Sequence, residues 1–363
     1  TISSVSTSGA QFNNLSSSLT KHPHFKKKTR AMIKPDGSFE FIPECAGFKT
    51  QGKIEGNPCE NDTFSGMEKF YLPPEYNKTE AVIVSEYITE TPEGEGILKG
   101  IMETGSDIWF LSANPRQFSS VRNALGIQAD GKGTLKRLNA LTESVWARDW
   151  APLIALPGND YQGEKVDFKM LDTNYYPERQ ADDSISRQIR NEILNPRSNF
   201  INASVKRESL PVYMEGGNIM CNEKNCFLTN KVIEENGIVN NKDDIILSEA
   251  ELKSEFKKQI SQDIWFVSSL PYEPTKHIDM WTKFLNENTL IINYLSDETI
   301  KNAVPQDISK FKEIQEFLEI QAAGKEANSL AYLVKKQKGF ALEKHPKPLL
   351  YLDFGNYFTA NAG

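Results

Sequence analysis

The segment KHIDMWTKF, residues 276–284, places a histidine inside apolar sequence and an aspartate two positions later. The other three histidines of the chain stand among lysines or next to proline, where solvated histidines are common. Side chains at i and i+2 of a strand point to the same side, so the pattern directs His277 and Asp279 toward one spot. A histidine placed there can transfer protons near neutral pH. The alternative is a core histidine without a chemical role.

A second charged pair lies in VWARDWAP, where Arg148 and Asp149 stand between Trp146 and Trp150. Burying a charge is costly unless the charge is paired, so two charged residues between two tryptophans are expected to have a structural or functional role. The couple is either a structural ion pair or part of a binding site.

The third candidate is MEGGN, residues 214–218, in which Glu215 ends an apolar strand. Gly216 and Gly217 allow positive φ and close approach of the backbone. A bend at this point would re-aim the acid toward a pocket. An ordinary strand-ending turn is the alternative.

Together these stretches supply three carboxylates, one imidazole and aromatic side chains, a set that suits a planar cation. A guanidinium group has five N–H donors in a fixed fork and stays charged at any biological pH. Asp149 and Asp279 can each accept a bidentate pair from it, and a tryptophan face can add a cation–π contact. His277 can then pass protons to a leaving amine and from a water molecule.

The elements that must position these residues are short strands alternating with amphipathic helices, from about residue 78 onward. A helix ending on Gly105 separates the strands at residues 80–87 and 107–114. Farther along, Ser248 and Glu251 have the spacing of a capping box at a helix start. The alternation predicts an α/β fold.

One internal repeat supports a repetitive architecture. SDIWFLSANP and QDIWFVSSLP are nearly the same sequence, and each follows a predicted helix. Repeated βαβ-type units around an axis would bring strand ends together at one central mouth.

The four cysteines form two close pairs in polar loops. Cys45 and Cys59 flank a loop rich in turn formers, and Cys221 and Cys226 flank NEKN, which is typical of a hairpin tip. The pattern predicts disulfides and an oxidising compartment, with free buried thiols in a cytosolic protein as the alternative. The spacings do not match a zinc site.

The chain has 363 residues and a net charge of −7, with no run of about 18 apolar residues. We therefore expect no membrane span, and the mild acidity argues against a nucleic-acid partner. Residues 1–35 are polar and then basic, and they predict a disordered tail after a removed targeting segment. We expect a loop-rich extension over residues 36–77, a main domain over residues 78–363, and a secreted, periplasmic or envelope location.

WARDWAP, EGGN and HIDMWTKF, in this order and roughly this spacing, resemble the bacterial Porphyromonas-type peptidylarginine deiminase and agmatine deiminase family. The likeness covers about residues 78–360 and looks closer to the peptidylarginine branch. It implies the pentein fold, an α/β propeller of ββαβ-type repeats. It also implies deimination of a guanidinium without a metal or an organic cofactor.

The resemblance assigns a role to each matched position. Asp149 and Asp279 would grip the guanidinium, and His277 would be the general acid and base. Glu215 matches a catalytic acid of the EGGN motif. The other matched positions, which we expect to bind substrate, are Trp146, Arg148, Gly216, Gly217 and Asn218.

The family uses a cysteine nucleophile located after the His-x-Asp segment, and this sequence has no cysteine after Asp279. Three explanations compete: a fragment lacking its final strands, a homologue that binds without catalysis, or another attacking residue such as Cys226. Unpaired sheet edges are usually covered in folded proteins, so we expect a completing C-terminal segment or a second chain.

The substrate is less specified than the reaction. The peptidylarginine branch is expected to hold a terminal carboxylate through arginines of one loop, and only Arg179 is present in the corresponding residues 172–183. A solvated loop arginine is the alternative for this residue. We expect an arginine-containing peptide or protein to be converted to the citrulline form with release of ammonia. A small guanidine such as agmatine, or non-catalytic guanidinium binding, are the alternatives.

Overall fold

In a computed structural model of the chain, the described residues are 70–337 together with four outlying strands. Within 70–337 the structure does not describe residues 127–132, 159–162, 164–165, 177, 199–200, 202, 238–245, 287–288 and 328. Only the backbone is described for the strands at residues 2–3, 29–33, 39–43 and 350–353.

The described elements are sixteen strands, ten α-helices and four short 3-10 helices. The strands are β1 (Ile2–Ser3), β2 (Thr29–Ile33), β3 (Phe39–Pro43), β4 (Phe70–Tyr71), β5 (Ala81–Ser85), β6 (Asp107–Leu111), β7 (Leu135–Leu138), β8 (Leu153–Pro157), β9 (Phe168–Asn174), β10 (Val205–Tyr213), β11 (Ile219–Cys221), β12 (Asn225–Thr229), β13 (Asp263–Val267), β14 (Thr282–Asn286), β15 (Thr289–Tyr294) and β16 (Leu350–Asp353). The helices are α1 (Gly94–Glu103), α2 (Pro115–Ala124), α3 (Ala147–Trp150), α4 (Gln180–Asp183), α5 (Ile185–Ile193), α6 (Asn230–Gly237), α7 (Glu249–Lys257), α8 (Asp297–Lys301), α9 (Ile308–Ala323) and α10 (Leu330–Gln337).

Three of the sheets share one connectivity, in which an antiparallel strand pair is followed by helices and then by a parallel strand. The strands β8, β9 and β10 follow this order around α4 and α5. The strands β11, β12 and β13 follow it around α6 and α7, and β14, β15 and β16 around α8, α9 and α10. Each unit therefore has the ββαβ order.

The fourth large sheet, with the order β1-β5-β6-β7, is parallel throughout. The helices α1 and α2 make the crossovers from β5 to β6 and from β6 to β7. No sheet closes on itself among the described strands, so the fold is a mixed α/β arrangement of several sheets. The placing of the units around one axis as a propeller stays a prediction.

The two repeated DIWF segments form β6 and β13, and each follows a helix, as predicted. Among the described strands, β13 pairs only with β12, whereas β6 lies between two strands. The predicted helix ends also agree with the structure. Gly105 has a φ of 88°, and Ser248 and Glu251 make both hydrogen bonds of a capping box.

Residues 70–77 belong by prediction to the N-terminal extension, and they pack against the main body. The strand β4 pairs with β8, and the Leu72 N–H donates to Gln262 Oε1 at 2.7 Å. Gln262 is buried, and its Nε2 donates back to the Leu72 carbonyl at 2.8 Å. Most of residues 1–69 lie outside the described residues, so the domain boundaries stay a prediction.

Candidate active site

Two acids and the histidine predicted from the sequence meet in the interior. His277 Nε2 lies 2.7 Å from Glu215 Oε2, and His277 Nδ1 lies 3.7 Å from Asp149 Oδ1. The His277 side chain is 6% exposed, so this contact between three titratable groups is largely shielded from water. The three motifs, far apart in sequence, therefore converge on one imidazole.

His277 does not lie in a strand, so that part of the prediction is wrong. It precedes a 3-10 turn at Ile278–Met280, and the strand begins only at Thr282. The Glu273 carboxylate accepts hydrogen bonds from the backbone N–H groups of His277 at 2.9 Å and Thr275 at 3.0 Å. These bonds bend the chain, so the i and i+2 rule for strands does not apply to His277 and Asp279.

Arg148 and Asp149 lie on α3, a single helical turn. The turn is fixed by Trp150, whose Nε1 donates to Ser144 Oγ at 3.0 Å. Ser144 Oγ in turn donates to Asp182 Oδ2 at 2.8 Å, and Asp182 is fully buried. Polar groups behind the motif therefore hold Asp149 in place.

The indole of Trp146 packs half-buried against the hydrophobic cluster that contains Trp150. It precedes α3, so it stands at the same turn as the predicted guanidinium-binding acid. Its expected role in lining the pocket stays a prediction.

The EGGN motif has glycines at two positions where neighbouring atoms leave no room for a side chain. Both belong to a 3-10 turn at Gly216–Asn218, and neither has a positive φ, so that expectation is wrong. A Cβ on Gly216 would lie 2.2 Å from the Arg148 carbonyl oxygen. A Cβ on Gly217 would lie 2.4 Å from His277 Nδ1 and 3.0 Å from Asp149 Oδ1. The close approach of the backbone was predicted correctly.

Asn218 supports this turn from within the protein. It is 2% exposed, and its Oδ1 accepts a hydrogen bond from the Thr229 N–H at 3.0 Å. Thr229 Oγ1 lies 2.8 Å from the carbonyl oxygen of Lys276, the residue before His277. Asn218 therefore links the EGGN turn to the histidine segment, and direct binding of substrate by this residue stays a prediction.

Asp279 contacts a cation of the same chain. Its Oδ2 lies 3.1 Å from Arg148 Nε, and the Arg148 guanidinium also pairs with Glu75. Arg148 therefore pairs with Glu75 and Asp279 rather than with the neighbouring Asp149, whose pairing with Arg148 was the alternative left open by the sequence. Glu75 could not be found from the motifs, because it lies in the loop between β4 and β5 and is brought in by tertiary packing.

Arg179 stands at a tyrosine pair. Its Nη1 donates to the Tyr175 hydroxyl at 3.0 Å, and its guanidinium carbon lies 5.5 Å from the centre of the Tyr176 ring. A hydrogen bond from Tyr176 to Glu215 helps to lower the pKa of that acid. The loop that carries Arg179 thus reaches the site through tyrosines, which the sequence analysis missed although NYYPER places them next to the arginine.

The charged groups of this cluster shift the pKa values of one another. Burial, together with the charges of Glu215 and Asp279, raises the pKa of Asp149 to about 7, against the opposing charge of His277. Burial alone would lower the pKa of His277, but the hydrogen bond to Glu215 and the charge of Asp149 raise it to about 9. Burial would raise the pKa of Glu215, but the bond to His277 lowers it. At neutral pH the imidazole is therefore charged, and Glu215 is ionised.

Cys221 and Cys226 are joined by a disulfide that crosses β11 and β12, as predicted. Cys226 therefore carries no free thiol, and its alternative role as a nucleophile is wrong. Cys45 and Cys59 lie outside the described residues.

Comparisons with known proteins agree with these features. The family profile described as Porphyromonas-type peptidyl-arginine deiminase matches residues 97–354. No curated protein matches the sequence of this chain.

The fold is similar to that of several solved structures. A provisionally assigned peptidyl-arginine deiminase is 15% identical with a TM-score of 0.51, over 79% of this chain and 77% of the other. A provisionally assigned arginine deiminase from Porphyromonas gingivalis is 14% identical with a TM-score of 0.50, over 78% and 76%. An agmatine deiminase of Enterococcus faecalis is 15% identical with a TM-score of 0.49, over 78% and 69%.

Because these identities are low, the structural similarity establishes the fold alone, which is that of the pentein deiminases. The assignment of the chain to a family rests on the sequence profile, which covers more than two thirds of the chain. The chain belongs to the Porphyromonas-type peptidyl-arginine deiminase family of guanidine-modifying hydrolases.

Proposed function

We propose that this protein deiminates peptidylarginine, with peptidylcitrulline and ammonia as products. The observation that carries the proposal is the buried contact of His277 with Glu215 and Asp149. A charged imidazole with an acid on each side suits a site that binds a cation and moves protons beside it.

Asp149 and Asp279 grip the guanidinium in this proposal. Asp149 is better placed than Asp279 to bind a cation. Its pKa is raised because burial removes water from the carboxyl and because Glu215 and Asp279 place negative charge nearby, and a cation would offset both effects. A guanidinium that donates to this carboxyl restores the hydrogen bonds that burial removes. Asp279 has one oxygen on Arg148 and can offer the other.

His277 transfers the protons. Its Nε2 is hydrogen-bonded to Glu215, which leaves Nδ1 for exchange with substrate. A thiolate adds to the guanidinium carbon, and the imidazolium gives its proton to the departing nitrogen, so that ammonia leaves. The neutral imidazole then takes a proton from water, whose oxygen attacks the same carbon and displaces the thiolate, giving citrulline.

The thiolate is the part that the described residues do not supply, since both of their cysteines are in the disulfide. We propose that a completing C-terminal segment or a second chain brings it to the site. 2-Chloroacetamidine, an electrophile shaped like a guanidinium, would alkylate such a thiolate, and peptide mapping would locate it. No labelling in an active enzyme would contradict a cysteine mechanism.

We favour a peptide over agmatine as the substrate. A cleft of about 470 Å³ is lined by residues of the loop before His277, among them Tyr272, Glu273 and Lys276, but by none of the four proposed catalytic residues. In this proposal it takes the peptide on one side of the arginine, which a small free guanidine does not have. The disulfide supports a secreted, periplasmic or envelope location, because such bonds persist in oxidising compartments.

The test uses the native gene product with Nα-acetyl-arginine amide, an arginine peptide and agmatine. We expect ammonia and citrulline from the arginine compounds and little turnover of agmatine. Asp149→Asn and His277→Ala should lower turnover by at least about 100-fold without unfolding the protein. Faster turnover of agmatine would move the proposal to the small-guanidine alternative. Guanidinium binding without ammonia release would favour the non-catalytic homologue.

The matched control for these charge changes is Glu249→Gln. Glu249 is exposed on α7, where it pairs with Lys253, and the variant should keep full turnover. Wild-type turnover in Asp149→Asn or His277→Ala would remove the site assignment.

A further inference from the structure

Glu75 lies in the loop between β4 and β5, upstream of WARDWAP, EGGN and HIDMWTKF. One carboxylate oxygen pairs with Arg148 Nη2, and the other pairs with Lys283 Nζ on β14. Burial would raise the pKa of Glu75, but the charges of Arg148 and Lys283 lower it, so the carboxylate is ionised. A residue of the predicted extension therefore reaches the interior.

Arg148 connects Glu75 with the candidate site. Its guanidinium contacts Glu75 through Nη2 and Asp279 through Nε, the latter at 3.1 Å. Because the guanidinium is planar and rigid, its contact with Glu75 through Nη2 restricts the orientation of the whole group. Nε makes no hydrogen bond among the described residues, so its contact with Asp279 is ionic. Arg148 Nη2 also lies 3.4 Å from the Ile219 carbonyl oxygen, which adds a third support.

Asp279 uses a single oxygen in this network. Its Oδ2 contacts Arg148, whereas Oδ1 has no hydrogen-bonding or ionic partner in the part of the chain that the structure describes. The side chain is 14% exposed, so few water molecules reach the carboxylate. Anchoring one oxygen leaves the other in a defined direction.

We propose that Glu75 and Arg148 are positioning residues for guanidinium binding. Glu75 orients Arg148, and Arg148 holds Oδ2 of Asp279 so that Oδ1 faces the substrate. The inference rests on the proposed function, because it takes Asp279 as an acid that grips a guanidinium. It also replaces the expectation that Arg148 binds substrate, since its guanidinium is in ionic contact with two acids of its own chain, Glu75 and Asp279.

The rival explanation is that Glu75 and Arg148 affect guanidinium binding only through their charges, without orienting Asp279. Glu75 makes the local potential more negative and Arg148 makes it more positive, which changes the affinity for any cation. Both explanations predict weaker binding when Glu75 loses its charge. They disagree on Arg148, because loss of a nearby positive charge would tighten cation binding, whereas loss of orientation would weaken it.

The experiment measures the Kd of methylguanidinium by calorimetry and the KM and kcat for Nα-acetyl-arginine amide. The variants are Glu75→Gln, Arg148→Gln and Arg148→Lys, with Glu249→Gln as the matched surface control. We expect all three network variants to weaken methylguanidinium binding about tenfold and to raise KM more than they lower kcat. The control should bind as the wild type does.

Arg148→Lys separates the two explanations even if Arg148→Gln does not fold, because lysine keeps the charge and loses the planar fork. Tighter binding in Arg148→Gln, or wild-type affinity in Glu75→Gln or Arg148→Lys, would overturn the positioning role. If the wild type itself does not bind methylguanidinium, the proposed function fails together with the inference. If the wild type binds and the variants are unchanged, the inference fails alone.

Discussion

Gly217 has no side chain, and the imidazole of His277 occupies the space where one would lie. In Gly217→Ala the new Cβ would approach His277 Nδ1 to 2.4 Å and Asp149 Oδ1 to 3.0 Å, so the ring must move. We expect turnover of Nα-acetyl-arginine amide to fall at least about 100-fold, because small displacements of catalytic groups have effects of this size. Steady-state kinetics measure the loss.

The matched control is Gly100→Ala on α1. A Cβ at Gly100 would have no heavy atom within 4 Å, so the variant should keep turnover and gain at most about 1 kcal/mol of helix stability. Equal activity in the two variants would show that the contact between Gly217 and His277 does not matter for catalysis.

Asp149 links guanidinium binding to pH. Its pKa of about 7 means that the free site holds a proton on this carboxyl in mildly acidic solution. A guanidinium binds the ionised carboxyl, so its affinity should rise with pH and level off above pH 7. Below that value we expect the Kd of methylguanidinium to increase about tenfold per pH unit.

Calorimetry between pH 5 and pH 8 measures this dependence, in a range where His277 stays charged. Asp149→Asn should bind weakly with little change over the range. A Kd of the wild type that is independent of pH would contradict the raised pKa of Asp149.

At the scale of elements, the sequence predicted the strands β5 and β6, the helix caps and the hairpin, because these depend on local patterns. The capping box at Ser248 and the hairpin at Cys221–Cys226 are both confirmed. The segment around His277 was predicted as a strand from its apolar residues, whereas a glutamate four positions upstream bends it. A side chain that caps backbone N–H groups leaves no periodic signal.

The sequence predicted the acids and the histidine of the candidate site, but it did not predict the residues that hold them in position. Asp149, Glu215 and His277 lie in short motifs with unusual neighbours, so sequence alone indicated them. Glu75 and Asp182 contact those motifs from a loop and from α4, both far from them in sequence, and their own sequence context is ordinary. Such contacts are set by tertiary packing, which no spacing rule along the chain contains.

The disulfide between Cys221 and Cys226 follows the EGGN turn and should support the hairpin without taking part in catalysis. It closes a short loop with a sequence separation of 5, so the stabilisation from a constrained unfolded state is about 2 kcal/mol. We expect a variant with both cysteines changed to alanine to lose about that much free energy of unfolding. Denaturant titration measures the loss.

The same variant should keep turnover, since neither cysteine is the attacking thiolate in the proposed mechanism. The single variant Cys226→Ala is less suitable, because it leaves Cys221 able to form other disulfides. Loss of turnover at unchanged stability would return Cys226 to the list of candidate nucleophiles.

At the scale of the whole molecule, the buried charge cluster ties folding stability to pH. None of the helices among the described residues has the length and hydropathy of a membrane span. His277 has a pKa of about 9 in the folded protein and about 6.5 when unfolded. The folded state therefore binds the extra proton between these values, and this contribution to stability is lost as the pH rises through 9.

The other two members of the cluster titrate outside this window. Asp149 also has a raised pKa, so its contribution falls between about pH 4 and its folded value of about 7. Glu215 has a lowered pKa, so its contribution is constant once the pH is well above the unfolded value of about 4.3. Between pH 7 and pH 9.5 the change in stability thus comes mainly from His277.

We expect the free energy of unfolding to fall by on the order of 2 kcal/mol from pH 7 to pH 9.5, as denaturant titration at several pH values would show. His277→Gln should flatten the profile because it has no group to titrate. Glu215→Gln should move the decline to lower pH, since the hydrogen bond that raises the histidine pKa is lost. If stability is constant across the window, the imidazole is neutral in the folded protein, and the proton it gives to the leaving ammonia must come from another group.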